Sequence, residues 1–558
     1  MQSTRIAVAI GTVLAAADLA PAQQTKRVSL DSSGAQANRW SVRSSLAADG
    51  RRIAFASDAT NLAAGDTNAI ADIFVRDVAT GVVERVSVDS SGAQSNGVSE
   101  GPALSADGSV VAFFSFASNL VAGDNNGRND VFARDLATGV TELVSVDSSG
   151  NPANGHSYRM ALSTDGRFVA FESQATNLVA SDTNSRVDIF VRDRATGTTE
   201  RVSVDSAGAE ANGESTLPSI SADGRFVAFF SYATNLVAGD TNAFSDVFVR
   251  DRATGTTERV SVDSSGAQGD GDSVTPALSA DGNAVAFFSR ATTLVPNDTN
   301  FLVDLFVHDR TTGTTERDSV DSAGNESNND SGGSLNHGPA LSADGRFVAF
   351  ESMATNLIAS DTNGTLDVFV RDRASGATKR VSVDTSGAES DDASELDSMT
   401  QDGGIVSFSS VATNLVAGDT NGCDDVFVYD SCVARWTNYG AGLAGTHGVP
   451  AITPGQNPVL GATITVSVDN SLGQPTSGLL FLGFQRAQIP THFGADLLVA
   501  PALILPITFS YGADSFTGTL PSDPAFAGFA VDLQVVEGDP GAVKGVSFTA
   551  GLELVLGY

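Results

Sequence analysis

Seven times along the chain an Asp falls in the turn phrase Ala-Asp-Gly or a close variant: Asp49, Asp107, Asp165, Asp223, Asp281, Asp344 and Asp402. Five of the six steps between them are 58 residues, and the step before Asp344 is 63. A unit of this length cannot bury its apolar surface alone, so the copies must stack on one another. Each copy holds four strand-like runs. In the fourth they are STLPSIS (215–221), RFVAFFS (225–231), DVFVRD (246–251) and TERVSVD (257–263), here called A to D. A turns into B through Ala-Asp-Gly and C into D through Arg-Ala-Thr-Gly, both short glycine-bearing turns. The B–C and D–A connections are longer.

Strand C carries a Phe in every copy: Phe74, Phe132, Phe190, Phe248, Phe306, Phe369 and Phe427. Near-continuous apolar runs in B and C, instead of strict alternation, predict sheets covered on both faces. Four-stranded sheets stacked about an axis make a β-propeller. The last copy lacks strand D, while an unpaired KRVSLD lies at 26–31, ahead of the first strand A. The N-terminal piece is therefore predicted to supply the missing strand. The expected fold is all-β: a seven-bladed β-propeller over 23–432 closed by an N-terminal strand, with an open β-array as the alternative.

LSADGRFVAFES, DVFVRDRATGTTERVSV and their copies resemble the TolB-like, WD40-like (PD40) propeller repeats of bacterial envelope and secreted proteins. The resemblance covers roughly residues 26–432 and implies a binding or scaffold surface. TolB itself has six blades, so its partners are not carried over. Residues 433–458 read as a linker punctuated by Gly and Pro. Short apolar runs over 459–558 predict a β-sandwich. Their order, with Gly-Thr-His-Gly-Val-Pro ahead of LLFLGF and FAVDLQVV, resembles a C-terminal module of secreted bacterial repeat proteins.

The N-terminus joins Arg5, an apolar run from Ile6 to Ala17 and Ala20-Pro21-Ala22. This pattern predicts a secretory signal over 1–22, interrupted by Asp18, and hence a secreted or cell-envelope protein. No later run is long enough to span a membrane. The net charge of −34 argues against nucleic acid and anionic membranes as partners. An extracellular glycan or an envelope protein, met by a monomer, fits better. Cys423 and Cys432 bracket one strand; their pairing would require the chain to fold back after Asp430.

Each B–C connection carries Asp-x-Asn-x-x-x-Asp: Asp66, Asn68 and Asp72; Asp124, Asn126 and Asp130; Asp182, Asn184 and Asp188; Asp240, Asn242 and Asp246; Asp298, Asn300 and Asp304; Asp361, Asn363 and Asp367; Asp419, Asn421 and Asp425. Such oxygen donors suit calcium, although the fixed Gly and terminal Glu of an EF-hand are missing. The same side chains also close Asx-turns, and turn bracing is the favoured reading. No cofactor other than calcium is suggested.

The copies differ most where the chain enters strand A. The first has Arg39, Trp40 and Arg43; the third has His156, Tyr158 and Arg159; the sixth carries an insertion ending at His337. Aromatic and Arg groups at a channel mouth can stack on sugars or grip carboxylates. The five histidines show no metal-binding spacing, and no nucleophile elbow, zincin motif or phosphate loop occurs. A non-enzymatic binding or scaffold protein is expected. The enzyme alternative is a polysaccharide lyase or hydrolase built from the non-repeated residues.

Overall fold

The computed structural model describes residues 24–332, 338–431, 435–455, 458, 462–484, 486–493, 495–509, 514–520 and 530–556. The expected signal at 1–22, His337 and Cys432 lie outside them, as does part of the expected linker. The described residues contain strands and turns and no helix. They divide into two compact units, 25–429 and 430–558.

In the first unit the strands form seven four-stranded sheets. Six follow the order A-B-C-D within one repeat, as in Ser215–Ile220, Phe226–Ser231, Asp246–Asp251 and Thr256–Arg259. The seventh joins Ser394–Met399, Ile405–Ser410 and Asp425–Asp430 to Gln24–Arg27 from the other end of the chain. The seam is held by Val28 N–H donating to Val426 O at 2.8 Å and by Ser29 Oγ donating to Asp425 Oδ1 at 2.5 Å. Each sheet packs on the next, and Ser41–Leu46 of the first packs on the two inner strands of the last. This closed ring is a propeller, an arrangement that leaves only short, protected edges.

The sequence pattern explains the packing. Strands B and C bring a Phe from each into a stacked pair, from Phe55 with Phe74 at 5.9 Å to Phe408 with Phe427 at 5.6 Å. These rings have essentially no exposure, and truncating one to Ala costs about 3–5 kcal/mol. The small residue before the strand-B Phe, such as Ala170 or Ala228, is also fully buried and lets neighbouring sheets approach. Around the axis, Leu46, Leu104, Leu162, Ile220, Leu278, Leu341 and Met399 line one end of the channel. Backbone bonds link the A–B turns there: Ala48 N donates to Ala106 O at 2.8 Å, Thr164 N to Ala222 O at 3.0 Å and Ala343 N to Gln401 O at 2.7 Å. The glycine of each turn sits at positive φ, 73° at Gly224, where a Cβ would come within 2.3 Å of the Phe168 ring.

In the second unit, Arg435–Tyr439, Gly551–Val555, Ala530–Gly538, Thr476–Gly483 and Leu503–Phe509 form one antiparallel sheet, with Val546–Phe548 also paired to Ala530–Gly538. Ile452–Pro454, Thr463–Val468 and Asp514–Thr519 form another. Ile464, Val466 and Phe516 of the smaller sheet share an apolar core with Leu480, Leu533 and Leu552 of the larger.

Candidate functional site at the channel mouth

The inner strand of the propeller sheets is broken by a bulge. The A–B register slips between Val42 and Ser45, Glu100 and Ala103, Tyr158 and Met160, Thr216 and Ser219, and Val274 and Ala277. At each slip one residue takes a left-handed backbone: Arg43 (φ 55°), Gly101 (59°), Arg159 (38°), Leu217 (55°) and Thr275 (52°). Four of these five are not glycine, and each costs about 1–2 kcal/mol that packing must offset. Bulges re-aim side chains, and retained strain of this kind concentrates at functional sites.

Arg43, Gly101, Arg159 and Leu217 line a cavity of about 660 Å³ at the mouth bordered by the long connections. Arg43 comes from the first sheet and Arg159 from the third; Gly101, between them, leaves a gap. A Cβ there would stand 2.6 Å from the Phe114 ring, so that ring forms the floor. Arg43 Nη1 lies 3.6 Å from Glu100 Oε2, and Arg159 Nε lies 3.7 Å from Glu172 Oε1. Both arginine side chains keep about a third of their surface exposed. Burial lowers the pKa of Arg159, Glu172 opposes that, and the positive charge of Arg43 lowers it further, so the two cations sense each other. Glu172 is oriented by Thr216 Oγ1 and by Leu217 N–H at 3.1 Å. Asp397 accepts from Ser44 Oγ at 2.8 Å and Ser409 Oγ at 2.7 Å.

Of the residues singled out in the sequence, Arg43, Tyr158 and Arg159 line this cavity. His156 stands behind Tyr158, stacked on it at 5.7 Å, and its Nδ1 accepts the Asn129 N–H at 3.0 Å. Burial and the nearby Arg128 lower its pKa, which keeps the ring neutral near pH 7. Arg39 pairs with Asp58 at 3.5 Å, and Trp40 packs against the apolar cluster between the first and second sheets. Glu100, Phe114, Glu172 and Asp397 escaped the sequence reading. Their signal was faint: Glu172 stands where the fourth copy has Phe230.

The Asp-x-Asn-x-x-x-Asp loops have one repeated geometry. The Asn Oδ1 accepts the N–H two residues on, as with Arg186 N to Asn184 Oδ1 at 2.7 Å, which is an Asx-turn. The Asn Nδ2 donates to a carbonyl of the following D–A connection, Asn184 to Ala211 O at 2.9 Å. The second Asp is fully buried, and its Oδ1 accepts a Ser hydroxyl, as with Ser203 to Asp188 at 2.5 Å. Between the two Asp side chains lies an arginine of strand D. Arg85, Arg201, Arg259, Arg317, Arg380 and, at the seam, Arg27 each approach both carboxylates within 3.1–3.8 Å. The guanidinium brings into the loop the positive charge that calcium would bring, and this favours turn bracing. The second repeat is the exception, with Leu143 in the arginine's place. There burial pushes up the Asp124 carboxyl, and Asp130 is pushed up to about 6. Among the described residues no group of three His, Cys, Asp or Glu side chains is gathered as a metal site. No helix among them is long and apolar enough to cross a membrane.

No family model and no curated sequence matches the chain. Solved structures do. A putative TolB from Agrobacterium tumefaciens matches at 15% identity over 54% of this chain and 89% of its own, with a TM-score of 0.33. Hydrazine synthase of Kuenenia stuttgartiensis matches at 12% over 69% and 94%, TM-score 0.35. The periplasmic gluconolactonase of Pseudomonas aeruginosa matches at 18% over 61% and 84%, TM-score 0.31. The WD40 repeats of RRP9 also match, at 10% identity over 59% of this chain and 92% of their own, with a TM-score of 0.26.

Proposed function

We propose that this chain is an exported, non-enzymatic binding protein, and that the channel mouth holds its ligand, an extracellular glycan or an envelope protein. One observation carries the reading. Arg43 and Arg159, both on left-handed backbone, flank the side-chain-free Gly101 above the Phe114 ring. Two guanidiniums around a gap suit a carboxylate or a similar planar anion, and the aromatic floor with Tyr158 suits a sugar face or an apolar side chain. The test is titration calorimetry of the full chain against acidic and neutral oligosaccharides, repeated with Arg43→Gln/Arg159→Gln. Saturable binding that the double variant loses supports the reading. Binding that a folded double variant retains removes it.

The same mouth also gathers Glu100, Glu172 and Asp397, and this favours a second reading, a polysaccharide lyase or hydrolase. Carboxylates beside a Tyr hydroxyl are the groups such proton transfers use. Turnover of an oligosaccharide, lost in Glu172→Gln, would establish it over simple binding.

A further inference from the structure

The second unit buries two carboxylates side by side. Glu537 lies in the strand Ala530–Gly538 and Asp539 just after it, with exposures of 1% and 0%. Among the described residues neither forms an ion pair. The ion pair the structure shows in this unit, Arg486 with Glu553 at 2.9 Å, lies beside Asp532 nearer the start of that strand. Buried charge is costly unless donors offset it. Asp539 is met by Thr446 and by the N–H groups of Gly541 at 3.0 Å and Ala542 at 3.1 Å, whereas Glu537, among the described residues, accepts one N–H, that of Ser471.

The hydroxyls at the site do not suffice. Ser471 Oγ lies 2.9 Å from Glu537 Oε2, 3.1 Å from Asp539 Oδ2 and 2.7 Å from Ser547 Oγ. Ser547 Oγ lies 3.2 Å from the same Glu537 Oε2. Two hydroxyl protons serve these four oxygen–oxygen contacts, and an ionised carboxylate supplies none. At least two contacts therefore have no proton between them. The other oxygen of the same carboxylate, Glu537 Oε1, is buried with no hydrogen-bond partner.

We propose that Glu537, Asp539, Ser471 and Ser547 form a calcium site. Oxygens 2.7–3.2 Å apart match the edges of a coordination shell with metal–oxygen distances of about 2.3–2.6 Å. A divalent cation at their centre neutralises both carboxylates, accounts for the protonless contacts and takes up the orphaned Oε1. The donors are all hard oxygens, which selects calcium over the softer transition metals. The surroundings hold the ligands in place. Thr446 donates to Asp539 through its N–H at 2.6 Å and its Oγ1 at 2.5 Å, and Ser471 N–H donates to Glu537 Oε2 at 3.0 Å. Gly445 closes the site so tightly that a Cβ would lie 2.2 Å from Ser471 Oγ and 2.4 Å from Asp539 Oδ2. The ion would thus tie the 445–447 loop, Ser471 and the 537–547 segment together.

The test strips the full-length chain with a chelator and titrates it with calcium chloride, following uptake by equilibrium dialysis and stability by thermal unfolding. Expected are calcium uptake and a calcium-dependent rise in melting temperature, both lost in Glu537→Gln and in Asp539→Asn and both kept in Asp124→Asn. The proposal is overturned if the stripped wild type takes up no calcium, or if both variants bind as the wild type does. It is equally overturned if calcium leaves the melting temperature unchanged while acidification from pH 7 to 5 raises it, because a shared proton would then hold the pair.

Discussion

Leu143 faces Phe132 across strands D and C of the second sheet, at the register position where Arg201 faces Phe190 in the third and Arg259 faces Phe248 in the fourth. Among the described residues the second repeat thus lacks the internal cation that the other six loops hold. Leu143→Arg is expected to restore it and to raise stability at pH 7 by roughly 1 kcal/mol, less than the full value of the Asp130 shift because a packed Leu is lost. The sign follows from the direction of that shift. A carboxyl raised from 3.8 to about 6 favours the folded state at low pH, and this contribution is lost as pH rises through that window. Thermal melts between pH 4 and 7 should show that fall in the wild type and a smaller one in the variant.

Asp318 stands where most other repeats have a buried Val, such as Val202 or Val260. Burial raises its pKa despite Arg371 at 3.0 Å and Arg373 at 2.9 Å. Asp318→Val restores the repeat's apolar packing, and both arginines keep other acceptors, Gly376 O and Glu316 among them. Denaturant unfolding should give a change between zero and about 1 kcal/mol in the stabilising direction. A loss of several kcal/mol would show the ion-pair cluster to be indispensable.

At the A–B turn end the balance reverses. Arg167, Arg225 and Arg346 each grip an Asp with two nitrogens, at 2.7–3.0 Å. Hydrogen bonding to Arg346 holds the Asp372 carboxyl down at about 2, and Asp193 and Asp251 are lowered in the same way. These groups stabilise the fold above the ordinary Asp pKa, and that stability is lost as pH falls towards 2. Replacing all three arginines with Gln should move the acid-unfolding midpoint to higher pH, read by circular dichroism.

Gly101→Ala tests the mouth from its floor. The new Cβ meets the Phe114 ring at 2.6 Å on a left-handed backbone. A loss of about 1–3 kcal/mol is expected, together with weaker binding of whatever ligand the Arg43→Gln/Arg159→Gln variant fails to hold.

The repeat made much of this legible in advance. The period, the recurring strand-C Phe and the displaced KRVSLD were enough to anticipate stacked four-stranded sheets and a borrowed last strand. The Asx-turns were legible too, because they are local. Their arginine partners were not, since the strand-D Arg that recurs in Thr-Glu-Arg meets its carboxylates only once C and D have paired. The mouth was half legible. Arg43, Tyr158 and Arg159 stood out as departures from the repeat, but the bulge that aims them leaves no mark in hydrophobic alternation. Trp40 stood out equally and packs into the apolar cluster between two sheets.

The borrowed strand also fixes how the ring responds to pulling. Val28 meets Val426 and Ser29 meets Asp425, so Gln24–Arg27 runs antiparallel to Asp425–Asp430, and Gln24 leaves the pair at the same end as Asp430. Tension between the segments before Gln24 and after Asp430 would part that ladder one rung at a time, like a zipper, instead of shearing every rung at once. The seam is the mechanical fuse of the ring. A surface that held this protein by one end alone would leave the fuse unloaded, whereas tethering at both ends would open the seventh sheet before any other.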